Sequence, residues 1–181
     1  MRACVRTRKL HLILVFTVLV GSLSVAQAPK NDFGPLEFLS GNWVAEGGGR
    51  PGQGTGGFSF TPDLQGAVLI RKSYAEYPAA KDKPAYRHDD LMVIYKEPAA
   101  NRLRAIFFDN EGHAIYYSIR ADDSANSIEF LSELQPSAPR YRLTYYKAGA
   151  DVLKLRFEIA PAGKPESFRT YIEAIAHRQK L

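Results

Sequence analysis

Cysteine is almost absent from this chain. The single cysteine, Cys4, lies close to the N-terminus, in a segment that we expect to be removed. A mature chain without cysteine has no disulfide, no thiolate nucleophile, no iron–sulfur cluster and no cysteine zinc site. Its stability must therefore come from core burial, which the remaining ~155 residues can supply as one domain.

Long apolar runs are equally scarce, and the one present lies at residues 10–20. It follows a segment with four Lys and Arg residues, and the small residues Ser24 and Ala26 come soon after it. This order predicts a signal peptide over residues 1–26, cleaved after Ala26, and hence a secreted, periplasmic protein. The second interpretation is an uncleaved anchor, but the run is shorter than the ~18–20 residues of a membrane span.

Excess positive charge disappears once the signal peptide is set aside. The chain has 24 Lys and Arg against 19 Asp and Glu, and residues 1–26 hold four of the cations and none of the acids. The remainder carries 20 cations against 19 acids, a net charge of +1. This balance gives no support for nucleic-acid binding, which would need a clustered basic surface, so we expect neither a nucleic-acid partner nor a membrane span after cleavage.

Helical periodicity is rare, and short alternating segments dominate instead. After a polar lead-in at residues 27–32, we predict a single domain over residues 33–181, opening with one helical turn at 35–39. Ten segments are rich in β-branched and aromatic residues and are separated by turn signals. The predicted strands are 42–46, 58–61, 67–77, 88–97, 102–109, 113–121, 127–134, 140–147, 152–160 and 167–177. Short connections between so many strands indicate an all-β, antiparallel, up-and-down β-barrel.

A glycine-dense segment at residues 47–57 resembles a phosphate-binding loop only in composition. It contains no Gly-Lys-Ser or Gly-Lys-Thr, and no helical pattern follows it. We therefore predict a mobile loop between the first two strands.

The predicted strands place apolar residues on one face, which indicates an apolar interior. Leu103, Ala105 and Phe107 alternate with polar or outward positions, and the later strands repeat this pattern. A barrel of eight to ten strands can enclose one small ligand. The residues predicted to line that ligand are Tyr95, Phe107, Tyr117, Tyr145 and Phe157, together with Asp109 and His113. Tyr74, Tyr86 and Tyr141 are further tyrosines that either line the cavity or lie on the outer wall.

Two histidines and several aspartates are predicted to meet at one rim of the barrel. Residues 110–112 form a tight hairpin loop that ends in glycine, so Asp109 and His113 should face each other. The antiparallel order brings His88 and Asp90 to the same end. Three interpretations remain open: a hydrogen-bonded rim, a gate for a ligand's polar end, or an acid–base or metal site with His113, Asp109 and His88 as catalytic candidates.

The segment from Leu36 to Trp43, with Gly41-Asn42-Trp43 at its end, resembles the entry of calycin barrels, which include lipocalins and fatty-acid-binding proteins. That resemblance implies a structural role for Gly41, Trp43 and Arg178, with the arginine packed over the tryptophan at the barrel base. The chain is also similar to an uncharacterised bacterial family of secreted lipocalin-like barrels. Nitrobindins are more distantly similar, and that likeness implies haem bound at a position near Tyr171.

We therefore expect a secreted barrel that binds a small apolar or amphipathic molecule without transforming it, and that needs no cofactor. The first alternative is a hydrolase or isomerase that uses the rim residues His88, Asp90, Asp109 and His113, with or without a divalent metal. The others are a haem-binding barrel and a barrel with a filled core that acts through its surface.

Overall fold

The computed structural model describes residues 33–46, 55–80, 83–124 and 126–180. The predicted signal peptide and lead-in, and most of the glycine-dense segment, lie outside these ranges. A 3-10 helix, Gly34–Leu39, comes first, and a shorter one, Leu64–Gly66, joins the second and third strands. The strands are β1 Gly41–Glu46, β2 Thr55–Asp63, β3 Val68–Tyr77, β4 Tyr86–Glu97, β5 Arg102–Asp109, β6 Ala114–Asp122, β7 Ser127–Ser132, β8 Arg140–Lys147, β9 Val152–Ala160 and β10 Arg169–Arg178.

The strands form a closed antiparallel barrel in sequence order, as predicted. Each strand pairs with its neighbour in the chain, and β1 closes the barrel against β10. The closing register places Trp43 opposite Arg178 and Ala45 opposite Ala176. Because every described strand has two partners, none presents an open edge for pairing with another chain.

Strand β2 begins three residues earlier than predicted, which corrects the loop assignment at its start. Gly56 and Gly57 belong to the strand, where they pair with both β1 and β3. A Cβ at Gly56 would lie 2.2 Å from the Tyr74 carbonyl oxygen, and one at Gly57 would lie 2.7 Å from the Trp43 carbonyl oxygen. These glycines therefore allow the close approach of three strands, and loop flexibility is not their role.

The barrel has a base and a rim that differ in packing. The base is the end where the helix Gly34–Leu39 packs, with Leu36 and Leu39 fully buried. The rim is the opposite end, where β5 joins β6. Between them, Phe58, Phe60 and Phe130 pack around Tyr145 with ring centroids 5.4 to 6.1 Å apart. Such tilted and edge-to-face contacts are the favoured geometry of aromatic cores.

No helix in the described ranges has the length and apolar character needed to span a bilayer.

Candidate functional site

A buried ion pair lies inside the barrel, between the packed base half and the rim. The Arg71 guanidinium on β3 contacts the Asp90 carboxylate on β4 through Nη1. Its Nε also donates to the Tyr145 hydroxyl on β8, at 2.7 Å. The Arg71 and Asp90 side chains are 9% and 7% exposed, so this network fixes three strands from within.

The electrostatics of this network follow from its burial. Desolvation lowers the pKa of Arg71, but the Asp90 carboxylate and the Tyr145 oxygen outweigh it, so the pKa of Arg71 rises overall. Burial raises the pKa of Tyr145, although the nearby guanidinium opposes part of that rise. The arginine therefore stays charged and the tyrosine stays neutral at ordinary pH.

Asp109 holds the rim hairpin together. Its Oδ1 accepts from the backbone N–H of Glu111 at 3.0 Å and of His113 at 2.9 Å. His113 Nδ1 donates to Oδ2 at 2.7 Å. Burial works to raise the pKa of Asp109, but the bonds from His113 lower it overall. Gly112 has φ +92°, the left-handed conformation that glycine favours in this loop.

Glu111 joins the rim histidine cluster in a way that the sequence pattern missed. Its Oε1 accepts from the Tyr86 hydroxyl at 2.6 Å and lies 3.2 Å from His88 Nδ1. The Tyr86 and His88 hydrogen bonds lower the pKa of Glu111, and the same bond raises the pKa of Tyr86 to about 12. Meanwhile His88 Nε2 faces Asp90 Oδ2 at 3.8 Å.

His113 occupies an outer position in this cluster. Its side chain is 51% exposed, whereas that of Asp109 is 5% exposed. The one hydrogen bond found for the His113 ring among the described residues goes to Asp109. This geometry matches the hydrogen-bonded rim, the first of the three interpretations. A carboxylate-held imidazole can also accept a proton, but no serine, threonine or cysteine side chain is bonded to His113 in the described ranges.

Most of the residues predicted to line a ligand do face the interior. Four of them pair with inward-facing residues of the adjacent strands: Phe107, Tyr117, Tyr145 and Phe157. Tyr117 and Tyr145 are buried in the packed core, whereas Phe107 and Phe157 are half-buried.

Tyr95 corrects the prediction, because it lies on the outer wall. It follows the fully buried Ile94 on β4, and its register partners are Val68 and Arg104. Successive strand residues point to opposite faces, so Tyr95 cannot line the interior.

Burial of the inward-facing residues changes along the barrel axis. Towards the base, Ile94, Phe130 and Leu153 are fully buried. Towards the rim, inward-facing apolar side chains from five strands are only half-buried: Phe107, Ile115, Tyr141, Phe157 and Ile172. Since these side chains turn away from the outer surface, their exposure must come through the rim. The interior is therefore fully packed in its middle and less completely buried towards the rim, although Leu103 and Ile119 in the base half are also only half-buried.

Arg178 lies over Trp43 at the base. Its guanidinium carbon is 4.2 Å from the centroid of the tryptophan ring. The same group donates to the backbone carbonyls of Ser40 and, at 3.2 Å, of Phe38. Trp43 Nε1 donates to the Leu39 carbonyl at 2.8 Å. These contacts tie the end of the N-terminal helix to the first and last strands.

Tyr171, the position considered for haem, lies at an irregularity in the pairing of β10 with β9. Its side chain is 65% exposed, and its ring meets Phe157 edge-on with centroids 6.3 Å apart.

A second concavity crosses the outer wall. A groove of about 600 Å³ spans β1 to β5. Its floor follows one row of residues that pair with one another across the five strands and turn their side chains inward: Trp43, Phe58, Ser73, Asp90 and Asp109. Its walls are the outward-facing residues on either side, which include Tyr74 and Phe108. The Arg87 guanidinium stacks on the Tyr74 ring at 4.4 Å.

Comparison with known proteins supports the fold. The structure is similar to the crystal structure of Rv2717c from M. tuberculosis, with a TM-score of 0.53 and 16% sequence identity, over 82% of this chain and 97% of that one. At this identity the likeness concerns the fold alone. No family model matches the sequence, and no curated protein sequence matches it. The closed ten-stranded barrel is compatible with a calycin-like architecture.

Arg71 and Glu111 are the site residues that sequence reasoning passed over. Arg71 lies on the same face of β3 as Leu69 and Ser73, so its inward direction could have been inferred from the alternation of the strand. Its burial depends on Asp90 and Tyr145, which are 19 and 74 positions away in the chain. Glu111 appeared only as a loop residue, because its partners Tyr86 and His88 reach it from another strand.

Proposed function

We propose that this protein binds a small apolar or amphipathic molecule in the rim half of the barrel, without transforming it. The observation that carries the proposal is the set of five inward-facing apolar side chains that remain half-buried above a packed base. A preformed apolar cavity with a few polar groups is the usual form of a small-molecule site.

The two sides of this cavity differ in polarity, which supports an amphipathic ligand. Tyr141, Phe157 and Ile172 provide an apolar wall on β8 to β10, where the Tyr141 and Phe157 rings stack with centroids 6.0 Å apart. His88 and Asp90 face inward on β4, on the other side. An apolar body would bury surface against the rings, while a hydroxyl or amine would meet the polar side.

The proposal extends to location. The chain begins with the charge and hydropathy pattern of a signal peptide, so we place the barrel in the periplasm, as a secreted lipocalin-like protein. A carrier of apolar molecules has a role there, because such molecules dissolve poorly in the aqueous space.

The test is the binding of N-phenyl-1-naphthylamine, a neutral apolar probe whose fluorescence rises on burial. Ile172 and Ile175 form a matched pair, since both lie on β10 and Ile175 is 49% exposed on the outer face. We expect Ile172→Asp to weaken probe binding at least tenfold, because an apolar pocket disfavours a carboxylate, and Ile175→Asp to leave it unchanged. Ile172→Trp, which keeps the site apolar but fills it, should also weaken binding.

The opposite pattern would overturn the proposal. Loss of binding in Ile175→Asp with normal binding in both Ile172 variants would place the apolar site on the outer wall. A wild-type barrel that does not bind the probe, and that carries no small molecule in native mass spectrometry of protein from its own source, would also contradict it. Urea unfolding of each variant separates loss of the site from loss of the fold.

A further inference from the structure

Three side chains at the rim present metal-ligating atoms to one another. His88 comes from β4, Asp109 from the end of β5, and Glu111 from the loop that follows. One ligand atom from each lies within 4.8 Å of the other two. The sequence pattern had grouped His113 with this cluster, but in the structure Glu111 takes its place. The geometry points to a binding site for a divalent transition metal, with Zn²⁺ as the best match, held by His88, Asp109 and Glu111.

The spacing of the His88 and Glu111 donor atoms suits a tetrahedral ion. His88 Nδ1 and Glu111 Oε1 are 3.2 Å apart. Two ligands of a tetrahedral Zn²⁺, each bonded at ~2.0–2.1 Å, are about 3.3 Å apart. An ion could therefore insert between these atoms with little movement, replacing the hydrogen bond that now joins them.

Two of the proposed ligands, Glu111 and Asp109, also have a hydrogen-bonded outer partner that orients them. The Tyr86 hydroxyl donates to Glu111 at 2.6 Å, and His113 Nδ1 donates to Asp109 at 2.7 Å. If His88 binds through Nδ1, its Nε2 carries the proton and faces Asp90 Oδ2 at 3.8 Å. A carboxylate behind a ligating histidine is the usual arrangement in metal sites, and here the 3.8 Å separation is an ion-pair distance that is too long for a hydrogen bond.

Arg71 completes this support from inside the barrel. It holds Asp90 through a buried ion pair, so the carboxylate behind His88 has a fixed position. Each outer contact joins one ligand to a residue outside the ligand set, and Tyr86 donates to Glu111 Oε1, the same oxygen that faces His88.

The donor set defines the class of metal. One imidazole nitrogen and two carboxylates suit Zn²⁺ and its first-row neighbours better than Ca²⁺ or Mg²⁺, which prefer six or more oxygen ligands. Three protein ligands leave the fourth tetrahedral position to water or to a solute at the rim. This site lies beside the proposed apolar cavity and does not depend on a ligand there.

The test is calorimetric titration of the untagged, chelator-treated chain with ZnCl₂. We expect one Zn²⁺ per chain, and excess Mg²⁺ should not compete. Glu111→Gln and His88→Gln should each weaken Zn²⁺ binding at least tenfold. Glu97→Gln and His177→Gln are matched controls on β4 and β10, away from the cluster, and should leave binding unchanged. His113→Gln, which removes only an outer partner, should have a smaller effect than either ligand variant.

Co²⁺ gives a second readout that reports on the site itself. Bound with four ligands, it should show strong visible absorption that Glu111→Gln abolishes. Absence of Zn²⁺ binding would overturn the proposal, and so would binding that is equally strong in the Glu111 and His88 variants. Because the Glu111 side chain is 47% exposed, its glutamine variant should fold normally, which circular dichroism can verify.

Discussion

Arg71 brings a full charge into the aromatic interior, and its surroundings explain how the fold tolerates it. Taking a charge out of water costs several kcal/mol unless an opposite charge and hydrogen bonds replace the solvent. Asp90 supplies the charge, and Tyr145 accepts a hydrogen bond from Nε at 2.7 Å. The Phe58 ring lies 5.8 Å from the guanidinium carbon. The hydroxyl of Tyr145 is therefore part of the solvation of a buried cation.

The first prediction compares two buried tyrosines, of which only Tyr145 accepts a hydrogen bond from Arg71. Tyr145→Phe leaves a buried guanidinium N–H without its acceptor, which should lower the free energy of unfolding by about 1–3 kcal/mol. Tyr117 is also buried, but no hydrogen bond of its hydroxyl is found among the described residues. Tyr117→Phe should therefore change the free energy of unfolding by less than about 0.5 kcal/mol. Urea unfolding at neutral pH measures both.

Equal losses in the two variants would contradict this account of Arg71. A larger loss in Tyr117→Phe would show that the Tyr117 hydroxyl has a partner that matters more. An unchanged Tyr145→Phe would mean that Asp90 alone satisfies the guanidinium.

At the scale of elements, sequence patterns located the strands well, because alternation and turn residues are local signals. The bounds of β5, β8 and β9 agree with the predicted 102–109, 140–147 and 152–160. Tyr95 was assigned to the wrong face because its side chain suits either environment, although its buried neighbour Ile94 gives the correct phase. The start of β2 was missed because glycine usually marks loops, and only the neighbouring strands explain its use there.

The contact between the helix Gly34–Leu39 and the barrel wall depends on Arg178 in the structure. The second prediction is that Arg178→Ala destabilises the fold by about 2 kcal/mol, since it removes the stacking on Trp43 and two hydrogen bonds to backbone carbonyls. Trp43 is the only tryptophan of the chain, so its fluorescence emission should shift to longer wavelength as the base loosens. Urea unfolding and emission spectra measure the two effects.

Arg169→Ala is the matched control for this variant. Arg169 is an exposed arginine at the rim end of the same strand, and its removal should alter neither the emission nor, beyond about 0.5 kcal/mol, the free energy of unfolding. A red shift with Arg169→Ala, or none with Arg178→Ala, would contradict the role given to the base contact.

At the scale of the whole molecule, the closed barrel follows from the strand count and the short connections, and both were visible in the sequence. Whether its interior is open did not follow from them. That property depends on how far large side chains from opposite walls reach across the axis. Phe58, Phe60, Phe130 and Tyr145 fill the interior between the base and the rim, and they come from β2 and, far along the chain, from β7 and β8. A pattern within one strand gives the direction of a side chain and says nothing of what faces it across the barrel.

The third prediction concerns the stability of the barrel at alkaline pH, which depends on the buried residues Tyr117 and Tyr145. Burial raises the pKa of Tyr117 and Tyr145 in the folded state, whereas tyrosines of the unfolded chain ionise near pH ~10. Above that pH the unfolded state has lost protons that the folded state keeps, so the free energy of unfolding falls as pH rises and is fully retained below pH ~10. Each tyrosine contributes a slope of about 1.4 kcal/mol per pH unit until its folded-state pKa is reached.

Urea unfolding between pH 7 and 11.5 should show this decline, and the double variant Tyr117→Phe/Tyr145→Phe should show a shallower one. Parallel declines in the two proteins would mean that other groups govern alkaline unfolding.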